Sequence, residues 1–140
     1  VTVSTEDFER TIDYGIGSLH NHAVHTMWAE ALWLSRIQEE PAVRWTASDY
    51  PTVESVVENW KIVESNWRAF VGDLTDDDLQ KVFTANALSG TYHHKIGEAL
   101  IHVVNHSTDH RAQMLRLIGD YGGQTFEQDI IFYLREKQSL

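Results

Sequence analysis

Between Pro51 and Gly72, apolar residues fall at Val53, Val56, Val57, Trp60, Val63, Trp67, Phe70 and Val71. This stripe has a period of about 3.6 and predicts an amphipathic helix that stops at Gly72. A second helix is expected from Ser18 to about Gln38. Gly15-Ile-Gly17-Ser18 reads as a loop whose last residue offers a capping hydroxyl, and Pro41 follows the helix end. The last long helix is expected from about Ile96 to Ile118. Its apolar face would be Leu100, Val103, Val104, Met114, Leu115, Leu117 and Ile118, with Gly119, Gly122 and Gly123 ending it. The pattern is weaker between these helices. Asp73 to Asp78 is an acidic connection in which Thr75 can cap a short turn. Lys81-Val-Phe-Thr-Ala and Gly90-Thr-Tyr-His-His-Lys-Ile read as two short extended pieces around a turn at Ser89-Gly90. The tail from Phe126 to Lys137 carries apolar residues at 126, 130, 131 and 134, enough for a short helix expected to pack onto the others.

Composition narrows the class. The 140 residues are the size of one domain, 1–140, and 42% of them are hydrophobic, ample for a core. A formal charge of −10 argues against nucleic acid or an anionic membrane as partner, since such binding starts from a basic face. With no cysteine there is no disulfide framework, no thiolate zinc site and no cysteine nucleophile. Any thiol chemistry needs a thiol brought from outside. No apolar run approaches the roughly 20 residues that span a bilayer, and the start lacks a basic then apolar leader. A cytoplasmic protein is expected, and the absence of an initial Met leaves a processed or trimmed terminus open.

Candidate chemistry lies in His102-Val-Val-Asn-His106-Ser-Thr-Asp-His110, three imidazoles four residues apart. Four residues on a helix return a side chain to nearly the same face. At about 100° per residue, His110 lies about 40° from the core-facing centre, His106 about 80° and His102 about 120°. His102 is therefore at the rim, a surface residue or a proton-shuttling neighbour of a site. Two imidazoles leaning inward side by side each need a hydrogen-bond partner, or one shared metal that satisfies both. On these residues alone both remain open. A metal needs further ligands, and His25, inside the apolar run Val24 to Leu34, is the best placed third. His20, His22, His93 and His94 carry no such signal, the last two being expected in an exposed hairpin.

Other chemistries are excluded by spacing. No Glu is followed three positions later by His, as in di-iron bundles, and His-Glu-x-x-His is absent. There is no nucleophile elbow and no phosphate loop. Three histidines without a carboxylate would leave coordination positions open, as in a catalytic site.

These residues resemble the DinB-like (DNA-damage-inducible) metal-binding helical bundles. The resemblance lies in Gly17-Ser-Leu-His-Asn-His-Ala-Val-His25 with Ala29-Glu30 and Trp33-Leu34-Ser-Arg36, in Glu98 through His102, His106 and His110-Arg111-Ala-Gln113, and in Asp129-Ile-Ile-Phe-Tyr-Leu-Arg135. It implies an all-α fold of the four-helix-bundle type and a divalent metal held by His25, His106 and His110. Two departures stand out. The family usually has a histidine just before the last ligand, where this chain has Asp109. Members also normally begin with a complete first helix, whereas residues 4 to 14 here resemble the connection into the histidine helix. Three long helices are thus expected, with the fourth place taken by a short terminal helix or a partner chain, since relatives commonly form homodimers.

The resemblance also implies a reaction. Relatives include thiol transferases and a thiol-dependent isomerase, in which the metal activates a low-molecular-weight thiol against a small-molecule substrate. One alternative is a metal-dependent hydrolase, for which the sequence offers no base beyond His102, and another is a non-catalytic, stress-related metal-binding bundle. Zinc is the first expectation for the metal, with nickel or iron as alternatives, because imidazole suits all three.

Overall fold

The computed structural model describes residues 3–41 and 44–138. Five α-helices and one hairpin follow in order among the described residues: α1 (Thr5–Glu9), α2 (Leu19–Ile37), α3 (Val53–Gly72), a hairpin of β1 (Val82–Ala87) and β2 (Gly90–Lys95), α4 (Ile96–Asp120) and α5 (Ile130–Gln138). The long helices start where the sequence supplies caps. Ser18 accepts a hydrogen bond from the Asn21 backbone N–H at 3.0 Å. Thr52 and Ser55 form a reciprocal capping box at the head of α3. Glu98 accepts from the Lys95 backbone N–H at 2.9 Å, fixing the passage from β2 into α4.

α2 is the central element, packed on α4, α3, α1 and β1. One core cluster gathers Leu19, Val24 and Met27 of α2 with Phe8, Val56, Val63, Met114 and Leu117. A second joins Ile37 to Phe83 and Ala85 of β1 and Ile96 and Ala99 of α4. The strands pair antiparallel from Val82↔Lys95 to Ala87↔Gly90, so alternate residues Phe83 and Ala85 face inward.

The opening segment, expected to be the connection into the histidine helix, contains α1, and its Phe8 is buried in the main core. Val104 and Val57, assigned to apolar faces, are 60% and 45% exposed. The tail does form a helix, but α5 does not pack onto the bundle: none of its residues is buried. Its apolar residues run consecutively from Ile130 to Leu134 around the helix and make no single stripe.

α5 also takes no part in the groove between two of the long helices. A cleft of about 790 Å³ lies between α3 and α4, lined by Trp60, Trp67 and Val71 on one side and Leu100, Val103 and Val104 on the other, with no residue of α5 among its walls. Glu30 closes its floor. The Glu30 carboxylate accepts from Trp60 Nε1 at 2.7 Å and from Ser107 Oγ at 2.6 Å, while its backbone carbonyl accepts from Trp67 Nε1 at 3.0 Å. One residue of α2 thereby fixes the other two long helices, and Ser107 is the neighbour of His106. Glu30→Ala strands both side-chain donors and is expected to lower unfolding free energy by about 2–3 kcal/mol in a urea titration, in the range for hydrogen bonds to a charged group. No change would mean that water replaces the carboxylate fully.

Candidate metal centre

The site is built where α2 crosses α4. His25 comes from the middle of α2, and His106 and His110 come from consecutive turns of α4. One ligating nitrogen from each of the three lies within 4.8 Å of the others. The ring centroids are 4.7 Å apart for His25 and His110, 5.3 Å for His25 and His106, and 4.5 Å for His106 and His110. No carboxylate enters the group. All three are half-buried, reachable from outside yet out of bulk water.

Burial sets their charge state. Desolvation, helped by the neighbouring imidazoles His110, His106 and His22, holds His25 down to about 4 from its usual 6.5. His106 and His110 are lowered as well, desolvation again leading, with Asp109 acting weakly in the opposite sense. The cluster is neutral near pH 7, the form in which imidazole ligates a metal. In metal-free protein the folded state resists protons that the unfolded chain takes up below about pH 6.5, so these groups make stability fall as pH drops from there toward about 4. The urea midpoint of metal-free protein is expected to be lower at pH 5 than at pH 7.5, with a smaller gap in His25→Gln. Equal midpoints at both pH values would contradict this.

The remaining histidines separate clearly. His102 is exposed at the rim, its ring 4.6 Å from Trp33 and 5.6 Å from His106. His20 is a core residue, stacked on Phe8 at 4.6 Å with Nε2 2.7 Å from the Tyr50 carbonyl oxygen. His93 is exposed, but His94 is not: it is half-buried against Trp33 and Phe83. His22, expected to have no part in the site, joins the cluster. Its side chain is fully buried, with Nδ1 3.5 Å from His110 Nδ1, and it reaches the cluster because His22 and His25, three residues apart, share a face of α2. That spacing was the available signal.

A modest cavity opens beside the triad. About 240 Å³ beside His25 is lined by Trp28, Arg44, Trp45 and Thr46, whereas the clefts of about 810 Å³ between α2 and α3 and about 790 Å³ between α3 and α4 include no triad residue.

Comparison with known proteins matches this architecture to one family. A family model described as the DinB family covers residues 2–139. The chain belongs to the DinB family. A crystal structure of a DinB-like protein from Bacillus cereus ATCC 10987 is similar in fold, with a TM-score of 0.70 at 21% identity, covering 91% of this chain and 83% of that one. Comparison with curated proteins finds no match. The DinB fold thus brings together, from two helices far apart in sequence, three histidines that could hold a metal ion. No described helix of this DinB chain is long and apolar enough to cross a membrane.

Proposed function

We propose that this DinB-family chain holds a divalent metal through His25, His106 and His110 and acts as a metal-dependent enzyme of the thiol-transferase type. The observation that carries the reading is the convergence of three neutral imidazole nitrogens within 4.8 Å, without a carboxylate. That donor set fits zinc, nickel or iron, with zinc first, and three protein ligands leave room for a further one. A divalent ion held there would lower the pKa of a small thiol and present it as a thiolate. The chain's own residues supply the rest. α2 and α4 fix the ligands in place through the Glu30–Ser107 contact, and partial burial keeps the imidazoles unprotonated. The cavity beside His25, lined by Trp28, Arg44 and Trp45 among others, would receive a small substrate. The absence of cysteine fits an externally supplied thiol.

Incubation of zinc-loaded protein with an electrophile and a panel of low-molecular-weight thiols tests the reaction. Turnover that requires both thiol and metal is expected. Thiol-independent turnover would replace the transferase with a hydrolase, and no turnover with any thiol in the panel would favour a non-catalytic bundle.

A further inference from the structure

His22 is an imidazole with unusual surroundings. It is fully buried in α2, one turn from His25, and its Nδ1 faces Nδ1 of His110 at 3.5 Å. Its Nε2 is buried with no hydrogen-bond partner. Gly15 closes over that atom with φ +62°, and a Cβ at position 15 would stand 2.8 Å from Nε2. The loop before α2 is therefore shaped around this ring. His22 is not among the three residues whose ligating nitrogens converge.

Proton counting at the His22–His110 contact gives the ring a role. Two facing imidazole nitrogens attract only when one carries a proton and the other a lone pair, and a neutral ring has one proton for its two nitrogens. If His22 donated, His110 would have its proton on Nε2 and its only lone pair spent on His22. If His110 donates from Nδ1, its Nε2 keeps a free lone pair, and the His22 proton sits on Nε2 beneath Gly15. Only the second arrangement leaves His110 able to ligate.

We infer that His22 is a positioning residue that holds His110 in the Nδ1–H tautomer, so that His110 ligates through Nε2. The inference rests on the proposed metal site. Partners of this kind orient a ligating imidazole and raise its basicity, and their loss costs roughly 10–100-fold in metal affinity. Here the partner is a neutral imidazole where a carboxylate or backbone carbonyl usually serves, which adds no negative charge to the site.

Long-range ¹H–¹⁵N NMR of the histidine rings in zinc-loaded wild-type protein reads tautomer and metallated nitrogen directly, with no dependence on activity. His110 is expected to be metallated at Nε2 and protonated at Nδ1, and His22 to be unmetallated and protonated at Nε2. In competition with a chelator, His22→Phe is expected to bind zinc about 10–100-fold more weakly, and His22→Asn, whose amide oxygen can accept near the Nδ1 position, to recover most of that loss. Ligation of His110 through Nδ1, metallation of His22, or wild-type affinity in His22→Phe would overturn the assignment while leaving the metal site standing. Failure of the wild-type protein to bind zinc would remove the metal site and this role with it.

Discussion

His110→Ala should fold and yet retain no zinc through dialysis against a mild chelator. His110 is the hub of the cluster, its ring against both His25 and His106 and its Nδ1 toward His22. Removing it leaves two ligands on different helices, and the expected loss in affinity exceeds about 100-fold, more than loss of an outer partner costs. Folding should survive because His110 is half-buried, while the main core of Met27, Leu117 and Val24 lies elsewhere. The variant also removes one of the imidazoles that hold His25 down, so metal-free His110→Ala should lose less stability than wild type between pH 6.5 and 5. Zinc offers a second readout. At 1,000 times its dissociation constant a ligand adds about 4 kcal/mol, so zinc should raise the melting temperature of wild type by much more than that of the variant. A zinc-dependent rise in the variant equal to that of wild type would contradict the assignment.

Leu117→Ala is expected to give the largest loss of stability among single truncations of the core. Leu117 is 2% exposed on α4 and belongs to the cluster shared by α1, α2, α3 and α4. Its truncation removes the transfer free energy of the lost methyl groups and leaves a cavity among packed helices that cannot fully collapse to fill it, about 3–5 kcal/mol together. For a chain of this size that lowers the melting temperature by roughly 8–15 °C. A drop of only a degree or two would mean that α4 shifts to close the gap, which would also displace His106 and His110.

The long helices and the hairpin were legible because each has a pattern that one physical rule reads. The α3 stripe recurs every 3.6 residues and stops at Gly72, Ser18 caps α2, and the strand-like pieces flank a tight turn, which falls at Leu88-Ser89 and not at Ser89-Gly90 because Gly90 already pairs with Ala87. The phase of α4 ranked His110, His106 and His102 from core to rim, and the structure leaves His102 exposed with the other two half-buried. What could not be read depended on which face meets what. α1 is five residues long, too short for a period, and is defined by the Ser4 cap and the burial of Phe8. Val104 and Val57 look like core residues until the cleft between α3 and α4 is seen beside them. α5 has apolar content without a stripe, so composition suggested packing that its geometry does not provide. His22 escaped for a similar reason: its importance lies in the approach of α4, a contact between residues 88 apart in sequence.

Whether His25, His106 and His110 form one metal site is decided by elemental analysis of protein purified without added metal, wild type beside His106→Ala. Wild type is expected to carry about one equivalent of divalent metal per chain, as for a site with three protein ligands, and the variant a trace. Equal metal in the two proteins, or none in wild type even after zinc is added and excess removed, would contradict it.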